Sequence, residues 1–366
     1  VKEPEPLQQI DRTFVRFRGR KLAYFSGCDY HRMASHPKVI AAVQAGLARF
    51  GLNVAASRMT TGNHRIYGEL EERLAGFFGY PVATLVSSGY SAPLTAAQAL
   101  KGQFTHALID ERSHACLFDA SSFLGCPLTK FAHRSPESLR ECLRAIRTKG
   151  RFLLLTDGHF SHDGSAAPLD QYLHLLPKGC ALLVDDAHGA GVLGATGRGA
   201  IELTGVSRGN IILTVTLSKA FGTYGGAILS TADFRDKILG SSTMFVGNTP
   251  LPLPLACGAH EAVKLLTPRL IERLNANSGL VKRELIEAGL PIQHTPGPIV
   301  ALPPQSTDVN ETVYKALLRA GIYPPLIRYL NTPKQGYFRF VVSSQHSSAQ
   351  LRNLIQVLIA HKASFA

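Results

Sequence analysis

The sequence predicts an α/β protein with a largely parallel sheet, followed by a smaller α+β lobe. Two observations carry this. Short apolar runs recur at 83–86, 105–109, 152–156, 181–184, 211–215 and 226–229, with the length and residue types of buried strands. Most are separated by segments able to hold a helix, such as 91–100, 113–123 and 136–148. Strands alternating with helices give a sheet covered on both faces.

The remaining elements follow in order. Residues 36–50 place Val39, Ile40, Val43 and Leu47 at helical spacing behind Pro37, a good first-turn residue. A second helix is predicted over 69–78, ending near Gly79. The proline-rich stretch 249–254 breaks the alternation. Beyond it, 257–266, 269–288, 308–320 and 348–361 read as helices, and 299–302 and 337–343 as short strands. The implied division is an N-terminal segment (1–35), a large domain (36–255) and a small C-terminal domain (256–366).

Composition narrows the class. Hydrophobic residues make up 45% of the chain and charged residues 18%, as in an ordinary globular enzyme. No apolar run is long enough to span a bilayer. Residues 1–11 are polar and do not resemble a signal peptide. The six cysteines are scattered with no C-x-x-C pair, which argues against a zinc or redox motif and for small core residues. A reducing cytoplasm is the expected location. The net charge of +13 is spread along the chain, with no basic run interleaved with aromatics, so nucleic acid is not the expected partner. An anionic substrate or carrier, such as coenzyme A or an acyl carrier protein, fits the charge. So does a basic surface that merely keeps the protein soluble.

In such sheets, ligands gather beyond the carboxyl ends of strands. The chemically capable residues fall there: Ser88 and Gly89, the stretch 110–114, the stretch 157–161, Asp185 to His188, and Thr216 to Lys219. Lys219 stands between a buried strand and a glycine-rich turn, a poor place for a solvated charge and a good one for a Schiff-base amine. About thirty residues earlier, an apolar run ends in Asp185, Asp186 and His188. A lysine for an aldehyde and a carboxylate for a ring nitrogen together point to pyridoxal phosphate (PLP).

Two strings sharpen this: D-D-A-H-G-x-G-V-x-G-x-x-G-R-G at 185–199 and T-x-S-K-A-F-G at 216–222. With them, the chain resembles the PLP-dependent α-oxoamine synthases, within the fold-type-I (aspartate-aminotransferase-like) enzymes, from about Phe25 to the C-terminus. The resemblance implies a mostly parallel seven-stranded sheet in the large domain, and a homodimer with shared active sites. It implies the Schiff-base lysine at Lys219, the ring-nitrogen carboxylate at Asp185, a ring-hydroxyl partner at His188 and a ring-stacking His114. Because side chains alternate along a strand end, only one of Asp185 and Asp186 should face the cofactor. Ser88, Gly89 and Tyr90, at a helix N-terminus, would hold the phosphate with Thr216 and Ser218. Ser161 would lie near the cofactor oxygen, and Thr249 near the partner subunit's phosphate. Arg339, seven residues before His346, would bind the amino-acid carboxylate bidentately. No metal is implied.

The pattern departs where substrate is expected. The family's Asn-Asp-Tyr-Leu-Gly-Leu is Cys28-Asp29-Tyr30-His31-Arg32-Met33 here, so Cys28 replaces an asparagine that helps hold the substrate carboxylate. Tyr67 stands where a histidine is common, Asp157 where a glutamate is usual, His162 where a methionine is common. The implied activity is condensation of an amino acid with an acyl-CoA or acyl carrier protein thioester, with loss of CO2, to an α-amino ketone. An 8-amino-7-oxononanoate synthase-like activity on alanine, as in biotin biosynthesis, is the first expectation because that branch of the family is common. The departures leave two alternatives open: another PLP reaction on this scaffold (aminotransferase, racemase, decarboxylase or C–C lyase), or a non-catalytic partner subunit.

Overall fold

A computed structural model describes residues 4–146, 150–328 and 333–365. The first three residues of the N-terminal segment, and the expected helix end at Thr148, lie outside the described residues. The chain divides into two compact units. The smaller comprises Val1–His36, Ser161–Ser165 and Arg269–Ala366; the larger comprises Pro37–Phe160 and Ala166–Pro268. The N-terminal segment thus counts with the C-terminal lobe, and that lobe begins at 269, against an expected 256.

In the smaller unit, β1 (Gln8–Asp11), β2 (Phe14–Phe17) and β3 (Arg20–Ala23) form an antiparallel meander. The sequence pattern does not reveal these strands, because exposed charges dilute the alternation. Val15 and Leu22 are nevertheless fully buried.

The larger unit holds β4 (Val82–Val86), β5 (His106–Asp110), β6 (Leu128–Phe131), β7 (Phe152–Asp157), β8 (Ala181–Asp185), β9 (Ile211–Thr216) and β10 (Gly226–Ser230). They form one seven-stranded sheet in the order β4-β10-β9-β8-β7-β5-β6. Its β9-β8-β7-β5-β6 run is parallel, and β10 is antiparallel to both neighbours. β7 and β9 are buried along their whole length, as both-face coverage requires. β6 lacks the apolar signature of the others because its Leu128 and Lys130 are exposed. Back in the smaller unit, β11 (Ile299–Ala301), β12 (Leu326–Ile327) and β13 (Tyr337–Val341) make a small sheet in the order β11-β13-β12.

Helix boundaries follow local chemistry. The helix Arg65–Phe78 starts on the His64 side chain and ends at Gly79, whose φ of 69 needs no Cβ. Its Glu71 is buried and accepts from Arg58, Arg235 and the Leu85 N–H of β4, locking that helix to the sheet edge.

Asp185 and Asp186 separate as alternation demands. Asp186 is fully buried, and its Oδ2 accepts the Ala200 N–H at 2.7 Å. Its carboxyl fills space that glycine leaves: a Cβ on Gly158, Gly189 or Gly199 would come within 2.4, 2.0 or 1.8 Å of it. These glycines therefore serve the carboxyl that braces the turn.

Burial pushes the Asp186 pKa up to about 8, far above the usual carboxylate range. Between that range and about pH 8, folding takes up a proton at Asp186, so its contribution to stability falls as pH rises. Asp186→Asn should therefore flatten the decline in melting temperature between about pH 5 and about pH 8. Thermal unfolding of both proteins at the two pH values checks this; parallel declines would refute it.

Candidate active site

The sequence-predicted residues fall into two groups, one in each unit. In the larger unit, β5, β7, β8 and β9 each end on a polar residue: Asp110, Asp157, Asp185 and Thr216. The strands run one residue past the apolar stretches, which brings these side chains to one edge of the sheet.

Lys219 follows β9, and its Nζ lies 2.8 Å from His188 Nε2. The carbonyl of His188 is held by His159 Nδ1 at 3.1 Å. Asp185 is buried. Its Oδ1 accepts the Ala187 N–H at 3.1 Å, and its Oδ2 accepts the Cys116 thiol at 3.1 Å. Cys116 Sγ also lies 3.0 Å from His114 Nδ1. Asp157, next to Asp185 in strand register, accepts the His114 N–H at 3.2 Å on each oxygen. Burial, then the neighbouring Asp185, pushes the Asp157 pKa well up.

The sequence marks Cys116 only as a core residue. It is buried, but its thiol joins His114 to Asp185. Spacing carries no signal for this, since His114 and Asp185 meet only through the β5–β8 topology. His114, Cys116 and Asp185 present ligand-type atoms within 4.8 Å of one another. A metal would need the thiolate, whereas burial beside Asp185 raises the Cys116 pKa strongly. The trio is better suited to hold a proton than a cation.

The Ser88-Gly89-Tyr90 turn precedes the helix Ser91–Ala99. Ser88 and Ser91 cap each other: the Ser91 N–H reaches Ser88 Oγ at 3.1 Å, and the Ser88 N–H reaches Ser91 Oγ at 3.2 Å. The turn packs tightly on Thr216, where a Cβ on Gly89 would come within 2.5 Å of the threonine Cβ. Thr216 Oγ1 lies 2.8 Å from Ser218 Oγ. The Gly89 and Tyr90 N–H groups at this helix start, beside the Thr216 and Ser218 hydroxyls, are a donor set for a phosphate. Tyr90 meets the His114 ring edge-on at 5.9 Å and donates its hydroxyl to Asp119. Thr249 is exposed; its neighbour Asn248 donates to Ser87 Oγ at 2.7 Å. Asp110, at a strand end, braces the backbone: it accepts the Arg112 and Arg134 N–H groups at 2.9 and 2.8 Å.

The smaller unit holds Cys28, Ser161 and Arg339. Arg339 lies on β13 and is 6% exposed; its Nη1 donates to the Ser161 carbonyl at 2.8 Å. Ser161 meets it through the backbone. Tyr30, fully buried, faces both Cys28 and Arg339, and burial raises its pKa well above the usual value. Arg32, at the position of the family's glycine, keeps a glycine-like φ of 55. That backbone costs about 1 kcal/mol in a non-glycine residue. The guanidinium compensates by donating to the Tyr24 carbonyl at 2.8 Å. His346 is structural: it accepts the Ser343 N–H on Nδ1 and stacks on Phe25 at 4.0 Å. Tyr67 is structural too, donating to the Leu251 carbonyl at 2.6 Å.

An amine beside a histidine, a buried and donor-braced carboxylate, and a phosphate-type cradle match the groups of PLP. Residues 23–358 match the family model of aminotransferase class I and II. The chain belongs to the aminotransferase class I and II family. Within this family its relatives are α-oxoamine synthases. It is 34% identical over 354 residues to 8-amino-7-oxononanoate synthase of Thioalkalivibrio sulfidiphilus, covering 93% of this chain and 88% of that one. Its fold matches serine palmitoyltransferase from S. paucimobilis, solved with a bound PLP–myriocin aldimine, at TM-score 0.91 and 27% identity over 100% of this chain and 94% of that one. The fold also matches 8-amino-7-oxononanoate synthase from Francisella tularensis, at TM-score 0.79 and 24% identity over 93% and 97% of the two chains.

Cys116→Ala takes a donor from a buried carboxylate and should raise the PLP dissociation constant about tenfold. Cys116→Ser keeps a donor and should stay near wild type. Fluorescence titration of the apoprotein with PLP measures both; equal affinities in all three proteins would count against the thiol.

Proposed function

We propose that this member of the aminotransferase class I and II family is a PLP-dependent acyltransferase. It condenses an amino acid with an acyl thioester to give an α-amino ketone, CO2 and the free thiol, as 8-amino-7-oxononanoate synthases do. The observation that carries the reading is the Lys219–His188–Asp185–Cys116–His114 constellation, in a chain about one-third identical to those enzymes along nearly its whole length.

When bound, PLP supplies an aldehyde for amines and a ring that withdraws electrons from an attached α-carbon. The chain's residues do the rest. Asp185 keeps a proton on the ring nitrogen, and its two donors fix its direction. Lys219 Nζ removes the proton from the amino acid's α-carbon, and His188 Nε2 holds that amine in place. His114 would stack on the ring and help polarise the acyl carbonyl. Ser88, Gly89, Tyr90, Thr216 and Ser218 would bind the phosphate. Arg339 binds the substrate carboxylate, with Cys28 beside Tyr30 at the same end.

The reading includes a cytoplasmic homodimer in which Thr249 serves the partner's phosphate. Its support is a set of exposed apolar side chains in the larger unit: Ile40 (42%) and Leu47 (45%) on one face of the helix Pro37–Phe50, with Leu52 (69%) and Tyr224 (49%). No helix among the described residues is long and apolar enough to cross a membrane. The excess of positive charge suits an anionic carrier, coenzyme A or acyl carrier protein.

Borohydride reduction of the PLP-loaded protein should fix the cofactor to Lys219, found by peptide mass mapping, and Lys219→Ala should abolish the adduct. With L-alanine and a series of acyl-CoAs, free thiol should appear only when both substrates are present. Product from the amino acid alone would replace this reading with another PLP reaction. Failure to bind any amino acid would replace it with a non-catalytic subunit. Arg339→Ala should raise the amino-acid KM by roughly a hundredfold, the scale of a lost bidentate ion pair, and leave the thioester KM near wild type.

A further inference from the structure

The helix Pro268–Glu287 carries a lysine that this mechanism does not use. Lys282 is 6% exposed, a rare place for an ammonium group. Its Nζ donates to the Thr295 carbonyl at 2.8 Å, Thr295 Oγ1 at 3.1 Å, the Pro296 carbonyl at 3.4 Å and the Gly297 carbonyl at 2.7 Å. These partners are neutral oxygens from one short stretch of chain. Burial pushes the Lys282 pKa down to about 7, and the oxygen cage offsets that cost. A buried ammonium that gathers three successive carbonyls specifies their directions, which an apolar side chain of the same length does not do.

The caged stretch leads to Arg339 by two routes. It runs directly into β11, and β11 pairs with β13 so that Ala301 stands opposite Arg339. It also packs on the turn that holds the guanidinium. Gly164, with φ +80, sits so close that a Cβ there would come within 3.1 Å of both Ile299 Cβ and Thr295 Oγ1. The same turn presents the Ser161 carbonyl to Arg339 Nη1. Both the strand register of Arg339 and the acceptor that aims its fork therefore rest on Thr295–Gly297. A second anchor on the same helix, Asn277, donates to the carbonyls of Ser343 and His346 beyond β13.

We infer that Lys282 is a positioning residue for Arg339, setting how strongly the enzyme prefers amines that carry an α-carboxylate. The inference rests on the proposed role of Arg339 and extends it to a residue that touches neither substrate nor cofactor.

The test is carboxylate preference in the PLP-loaded enzyme, taken as the ratio of the dissociation constants of ethylamine and L-alanine from absorbance titrations. Lys282→Met should cut this ratio by about tenfold, the scale of one lost charge-assisted hydrogen bond, with PLP affinity unchanged. Thr295→Val removes one cage oxygen, keeps the side-chain shape, and should cut the ratio by roughly two- to threefold. It also decides the matter if Lys282→Met does not fold. A folded Lys282→Met protein with an unaltered ratio and a lower melting temperature overturns the inference, because the lysine then serves stability alone. An unaltered ratio in Thr295→Val, where that is the only folded variant, overturns it as well. A wild-type enzyme with no carboxylate preference sinks the role of Arg339 and this inference with it. A wild-type enzyme with the preference, but no thiol release from any acyl thioester, sinks the proposed reaction while the ratio still decides the role of Lys282.

Discussion

Two buried carboxylates side by side are the constraint around which the larger unit is arranged. Asp157 and Asp185 are register partners on adjacent parallel strands, and both are nearly inaccessible to water. Two like charges there would repel strongly in a medium that screens them poorly. The structure surrounds them with donors: the His114 N–H for Asp157, and the Ala187 N–H and the Cys116 thiol for Asp185. Burial, and then the neighbouring Asp185, push the Asp157 pKa well above the usual carboxylate range.

That arrangement explains why these strands end as they do. A parallel sheet covered on both faces gives polar side chains no solvent to reach until the strand leaves it. The first polar residue therefore marks the carboxyl edge at the end of β8, and β5, β7 and β9 close on polar residues at the same edge. Successive residues then point to opposite sides. Asp185 turns to the donors of the site; Asp186 turns into the glycine-lined hollow and caps the Ala200 N–H. One dipeptide thereby builds the site and the turn behind it.

Most of the central sheet was legible in the sequence because its strands are largely apolar and its helices begin at recognisable starts. The meander β1–β3 and the edge strand β6 were not, since exposed residues interrupt their patterns. Within the site, Lys219, Asp185, His188 and His114 stand in strings that name their neighbours, and the structure brings these four together in the larger unit. Cys116 and Lys282 were illegible for a different reason. Each acts through partners distant in sequence, or through backbone carbonyls, and neither arrangement leaves a residue-type pattern.

The departures from the family pattern sort physically once each side chain is followed to its contacts. Tyr67 holds the backbone of the proline-rich segment at Leu251, and cation–π contact with Arg58 at 5.1 Å adds to its packing. It therefore bears on the fold of that segment. Arg32 keeps the left-handed backbone of the glycine it replaces and directs its side chain to Tyr24, so it preserves the turn that carries Cys28 and Tyr30. Cys28 is different. It is a partly exposed thiol facing the buried Tyr30, which in turn lies near Arg339. A thiol is a weak donor where the family has an amide with two donors and an acceptor. Under the role proposed for Arg339, recognition of a substrate carboxylate at this end would then lean more heavily on the guanidinium. A site with fewer redundant contacts is more sensitive to the aim of the one that remains, so the bracing inferred for Arg339, by its turn and by Lys282, would matter more in this chain than in one that keeps the asparagine.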